Sequence, residues 1–120
     1  MAWDVEYTDE FGVWWDGLTE QLQDDIDVVV DLLQERGPNL EFPYSSVVSG
    51  TAFSHMRELR VQHKGEPYRI LYAFDPKRSA ILLIGGCKTG DGRWYEKFIP
   101  IADRLYTRHL EEMLKEEGKG

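Results

Sequence analysis

At 120 residues, 42% of them hydrophobic, the chain has enough length for one globular domain (1–120), and its net charge of −8 excludes a general nucleic-acid coat protein, which is basic throughout. A single cysteine, Cys87, excludes an internal disulfide and fits a reducing compartment. The start MAWDVEYTDE has no basic or apolar signal-peptide region, and the longest apolar run, Ala80–Gly86, is too short to span a bilayer, so a soluble cytoplasmic protein is expected.

Trp3–Tyr7 alternates apolar and acidic residues, the period of a half-buried strand. Thr8 or Asp9 can cap a helix on which Phe11, Trp14, Trp15 and Leu18 share a face. Thr19 caps a second helix, striped by Leu22, Ile26, Val29 and Leu33 and ended by Arg36, Gly37 and Pro38. Asn39 to Thr51 reads as an irregular connection. Met56–His63, Tyr68–Asp75 and Ser79–Cys87 read as three strands, joined by Lys64-Gly65-Glu66-Pro67 and by Pro76-Lys77-Arg78. A glycine-containing loop from Lys88 to Arg93 leads into a last helix over roughly Phe98–Lys115. The order β-α-α-β-β-β-α predicts an α+β fold: an antiparallel-rich sheet packed by helices on one face.

Charge is unevenly spread along these elements. Residues 1–54 hold one base against 12 acids, whereas residues 55–108 hold 11 bases against 6 acids. Such asymmetry suggests an anionic partner for the basic part, although basic strands facing acidic helices would produce it too.

Several chemistries fail on spacing. Gly85-Gly86-Cys87-Lys88-Thr89 is no P-loop, because cysteine precedes the lysine and more loop follows. His55, His63 and His109 are scattered, so neither a metal nor a cofactor is expected. What remains is the basic meander. Arg57, Arg60, His63, Lys64, Arg69, Lys88 and Arg93 lie on neighbouring strands or just after them, where they could converge on one surface. Cations suit a phosphodiester, whose pentavalent transition state carries extra negative charge. With RNA, the 2′-OH is its own nucleophile, so the protein need only position the strand, stabilise charge and move protons. Trp94 and Tyr95 could stack on an unpaired base.

Plainer readings stand beside each choice. Arg69 could pair with Glu58 across the hairpin, Lys88 could be a solvated strand end, and Tyr95 a packing aromatic. His63 is the histidine best placed for proton transfer near neutral pH, yet a turn edge more often exposes such a residue. His109 reads as structural.

The early helix with Phe11, Trp14 and Leu18, the strand Arg57-Glu58-Leu59-Arg60, Tyr68-Arg69-Ile70-Leu71-Tyr72, Ile84-Gly85-Gly86-Cys87-Lys88, Tyr95 and the helix containing Ala102 together carry a resemblance over nearly the whole chain. In that order and spacing they resemble the RelE/HigB-type toxins of bacterial type II toxin–antitoxin systems, in particular the phage-derived RelE-like branch. The resemblance implies an mRNA endoribonuclease that blocks translation, commonly on the ribosome, and is neutralised by a cognate antitoxin, expected to be a helix-turn-helix DNA-binding protein. It implies catalytic roles for Arg69, Lys88 and Tyr95, and RNA contacts for Arg57 and Arg60. His63, Lys64 and Arg93 join them from the charge pattern. Glu58 and Thr89 depart from the family, which tends to be more basic at both positions. Two alternatives stay open: a ParE-like inhibitor of DNA gyrase, and a non-catalytic partner-binding module.

Overall fold

Two threonines start the first two helices of the computed structural model, which describes residues 2–119. After the short strand β1 (Val5–Tyr7), Thr8 Oγ1 accepts from Phe11 N and opens α1 (Asp9–Asp16). Thr19 does the same for Leu22 N at the head of α2 (Glu20–Arg36). Each cap satisfies a donor that the helix leaves orphaned, about 1 kcal/mol apiece. Gly37 ends α2 with φ +55°, and a Cβ there would lie within 2.5 Å of the Trp3 indole, so only glycine fits.

The chain then forms β2 (Ser45–Val47), β3 (Arg57–His63), β4 (Glu66–Phe74), β5 (Ala80–Cys87) and α3 (Trp94–Lys119). One sheet holds all five strands in the order β1-β5-β4-β3-β2. β1 runs parallel to β5, and every other pairing is antiparallel. The α+β class and its antiparallel-rich sheet are as the sequence predicts.

Three details differ from expectation. The region read as irregular contains β2, which pairs with β3 and forms one sheet edge. The β3–β4 turn is tighter, because Lys64 and Gly65 both take positive φ (50° and 80°) and His63 therefore pairs with Glu66. That is the two-residue hairpin geometry whose twist matches the strands. Helices also cover both sheet faces rather than one. Leu59, Val61, Ile70, Tyr72 and Leu82 face α1 and α2, while Leu71, Ala73, Ile81 and Leu83 face α3. Successive strand residues point to opposite faces, so β4 and β5, buried on both sides, read as continuous apolar runs without alternation.

α2 shows which effect dominates its stability. Asp24, Asp27 and Asp31 crowd its solvent side, and burial followed by Asp31 and Asp24 pushes the Asp27 carboxyl above its usual value. Against this, Leu22, Ile26, Val29 and Leu33 are buried, each burial contributing about 1.5–3 kcal/mol. Packing wins, since like-charge pairs one turn apart cost only about 0.2–0.5 kcal/mol each.

Candidate functional site

On the α3 face, strand alternation sets Glu58 and Arg60 of β3 beside Arg69 of β4. Lys88 follows directly after β5, and its backbone N–H donates to the Pro67 carbonyl (2.8 Å). Tyr95 arrives in the first turn of α3. That helix starts four residues earlier than predicted, because Asp91 folds the preceding loop by accepting from Arg93 N (3.0 Å).

Glu58 is the hub of this group. Its Oε1 accepts the Tyr95 hydroxyl at 2.6 Å, and its Oε2 accepts Ser46 Oγ at 2.7 Å and an Arg60 N–H at 3.3 Å. Arg69 Nε lies 3.7 Å from Glu58 Oε1, an ion pair too long for a hydrogen bond. Arg69 Nε is buried with no acceptor among the described residues, while its Nη1 donates to the Tyr68 carbonyl (3.0 Å). Arg60 and Arg69 are directly opposed in the register. Like charges so placed repel, and Glu58 between them offsets the repulsion.

Tyr95 Oη completes the arrangement. Lys88 Nζ donates to it at 3.3 Å and sits 4.5 Å from the ring centroid. Burial first, and then the Glu58 hydrogen bond, raise the hydroxyl's pKa above its ordinary value, with Arg69 opposing. Tyr95 is therefore a neutral O–H at pH 7. Glu58 and Arg69, both 5% exposed, form a floor beneath the more accessible Arg60, Lys88 and Tyr95. Three cations against one carboxylate suit an anionic ligand.

The sheet does not bring every expected residue to this surface. Arg57 and His63 occupy odd positions of β3 and face α2. There Arg57 donates to Ser45 Oγ (3.0 Å) and the Leu40 carbonyl (3.3 Å), and His63 Nδ1 meets Asp25 Oδ2 at 2.6 Å. One shared surface for all seven basic residues is thus corrected by the two-residue period of the strand. Lys64 is exposed in the hairpin turn, and Arg93 is exposed beside Glu96 (3.9 Å). Trp94 is buried against Gly86 and Phe98 and offers no face for stacking.

The sequence marks Glu58 both as a departure from the family and as a possible cross-hairpin partner of Arg69, which the ion pair bears out, but gives it no link to Tyr95 and does not single out Ser46. The signal for Glu58 lay in its spacing, two residues from Arg60 and hence on the same face. Ser46 had none, because its pairing with Glu58 depends on the unforeseen β2. Among the described residues, Glu6, Asp75 and His109 could offer metal-ligand atoms within 4.8 Å of one another. Asp75 already accepts from Lys77 N and Ser79 N through Oδ1 and meets His109 Nε2 at 2.9 Å through Oδ2, a tie between the β4–β5 turn and α3. No described helix is long and apolar enough to cross a membrane.

Comparison with known proteins gives this geometry a context. Residues 13–107 match the family model described as Phage derived protein Gp49-like (DUF891). Two Mycobacterium tuberculosis proteins carry the names Putative toxin HigB3 and Putative toxin HigB2. The chain is 44% identical to HigB3 over 92 residues (76% of this chain, 79% of HigB3). It is 34% identical to HigB2 over 112 residues, covering 92% of this chain but only 55% of HigB2's length. A mutant of E. coli toxin RelE solved in the free state shares the fold, with a TM-score of 0.61 at 12% identity over 90% of this chain and 98% of that one. The archaeal RelE–RelB complex from Pyrococcus horikoshii holds a chain that gives 0.54 at 16% identity, over 75% and 99%. HigB relatives do not favour the gyrase-inhibitor alternative. By sequence and fold alike, this chain belongs to the phage-derived Gp49-like family and is a RelE/HigB-type toxin of a toxin–antitoxin system.

Proposed function

We propose that the Glu58–Tyr95–Lys88 group, flanked by Arg60 and Arg69, cleaves mRNA, so that the chain blocks translation as an endoribonuclease. The observation that carries this reading is Tyr95 Oη held between a carboxylate that accepts its proton and an ammonium that donates to it. The RNA 2′-OH attacks the adjacent phosphorus. Tyr95 Oη takes the 2′-OH proton as it passes its own to Glu58 Oε1. Lys88 neutralises the phosphorane and protonates the departing 5′-oxygen, leaving a 2′,3′-cyclic phosphate and a 5′-OH. Arg60 holds a non-bridging oxygen, and Arg69 supports the charge from below. Preorganised donors aimed at developing charge commonly lower the barrier more than any other single effect in such catalysis.

An acidic chain would meet RNA most readily when a ribosome presents it, which makes a ribosome-associated reaction in the cytoplasm the favoured setting. The structural neighbour solved as a RelE–RelB complex supports an antitoxin partner here. We extend that to a helix-turn-helix protein that restrains the toxin.

The test is a cell-free translation reaction with the purified chain, with and without ribosomes, mapping 5′ ends and end chemistry on a reporter mRNA. New cuts bearing 5′-OH and cyclic phosphate ends, lost in Lys88→Ala, are expected. Intact mRNA under full translation arrest would overturn the reading.

A further inference from the structure

If RNA lies on the Glu58 cluster, something must hold the bases beside the cut, and the expected aromatics are spent. Trp94 is 1% exposed, and Tyr95 has Lys88 over its ring and Trp94 against it at 5.2 Å. Another aromatic lies one side chain away. Phe42, 70% exposed, has the Arg60 guanidinium carbon 4.9 Å from its ring centroid. The same Arg60 binds Glu58 at 3.3 Å, so ring, guanidinium, carboxylate and Tyr95 hydroxyl form one continuous chain of contacts.

We propose that Phe42 is the stacking platform for an unpaired RNA base next to the cut. The proposal rests on the RNA reading of the Glu58 cluster and adds a residue that no feature of the strand pattern marked. The platform is held in place before RNA arrives. Arg60 N donates to the Tyr44 carbonyl at 2.8 Å, and Tyr44 N donates to the Glu41 carbonyl at 3.0 Å, which fixes the entry to β2 against β3. Arg60 covers part of the ring, and the remaining surface is open to a flat base. A base stacked there keeps its phosphate within reach of Arg60, combining π-stacking with charge neutralisation as single-strand sites do.

An apolar protein segment fits this place less well. The contact the structure gives the Phe42 ring is a cation, Arg60, which itself binds the Glu58 carboxylate. The exposed apolar residue of the strand, Val47, is paired with Arg57 and so points to the opposite face.

The test uses the purified full-length chain and uncleavable 2′-O-methyl RNA, with 2-aminopurine or an abasic site at positions flanking the cut, both free and held on programmed ribosomes. Wild type should quench 2-aminopurine at one position. Phe42→Ala and Phe42→Leu should bind the base-containing RNA roughly 5- to 150-fold more weakly, the range for one stacked base, while Phe42→Tyr stays near wild type. Abasic RNA at that position should bind all four proteins alike. Equal binding by wild type and Phe42→Leu, or no RNA binding in either setting, would overturn the platform. So would a Phe42→Leu loss confined to antitoxin capture, which would make the face a protein-docking surface. Lys88→Ala separates the two readings: if it cuts like wild type, the catalytic assignment fails while the stacking result stands on its own.

Discussion

Glu58 carries two jobs that a single substitution can separate. It offsets the opposed Arg60 and Arg69, and it receives the Tyr95 hydrogen bond. Removing one partner of a buried ion pair costs about 3–5 kcal/mol, so Glu58→Ala should lower the midpoint of urea unfolding and abolish cutting together. Tyr95→Phe keeps the ring under Lys88 and removes only the oxygen. It should lower stability in urea by only about 1–3 kcal/mol, the cost of one lost donor to the buried Glu58 carboxylate, while slowing cleavage roughly 10²- to 10⁴-fold, the usual scale of a lost proton-transfer group. Because the Tyr95 pKa is raised, its O–H stays protonated below its ordinary value near 10 and is lost only above it. A cleavage pH profile should therefore show no alkaline loss from Tyr95 below about pH 10. Arg69, Lys88 and Tyr95 were nameable in advance, and they lie together. Glu58 was legible as a possible cross-hairpin partner of Arg69, which the 3.7 Å ion pair bears out, but not as the acceptor for Tyr95, since that bond depends on where α3 begins.

Among the secondary-structure elements, two adjacent glycines let helices approach both faces of β5. A Cβ on Gly85 would lie 2.4 Å from the Trp14 ring of α1, and one on Gly86 would lie 2.8 Å from Trp94 Nε1 of α3. Gly85→Ala should destabilise the chain by about 1–3 kcal/mol in denaturant titration, as overpacking does, with the Glu58–Tyr95–Lys88 group intact. Gly86→Ala should shift the start of α3, which carries Tyr95, and so slow cleavage as well. A second link joins α1 to α3. The two Arg108–Glu10 hydrogen bonds, at 2.7 and 2.8 Å, hold the Glu10 carboxyl at about 2 instead of 4.5. A lowered folded pKa means this stabilisation is present above pH 4.5 and fades as pH falls toward 2. Glu10→Gln should remove that part of the acid sensitivity, at most about 1 kcal/mol because the pair is exposed to water. Helix caps, α2 and the central strands were legible from local pattern. β2 was not, because three residues carry no period and its partner strand lies about ten residues further on.

For the whole molecule, the uneven charge along the chain becomes a division in space only in part. The acidic first half builds α1 and α2 on one face, yet Arg57 and His63 of the basic half turn toward that same face and bond Ser45 and Asp25 there. Segment charge therefore overstated the basic surface, which narrows to Arg60 and Lys88 above a buried Arg69. Neutralising two phosphates of a single strand gives a log–log salt slope of roughly −1.4, and Lys88→Ala should reduce it by about 0.7. A much steeper slope in filter binding would mean that cations elsewhere, such as Lys64 or Arg93, also grip the RNA.

Whether the Tyr95 hydroxyl moves protons is decided by the single-turnover rate of mRNA cleavage on programmed ribosomes, wild type and Tyr95→Phe side by side. Deleting that one oxygen should slow cutting at least about 100-fold at unchanged fold and cleavage position. Equal rates for the two proteins would remove the Glu58–Tyr95–Lys88 group from the chemistry.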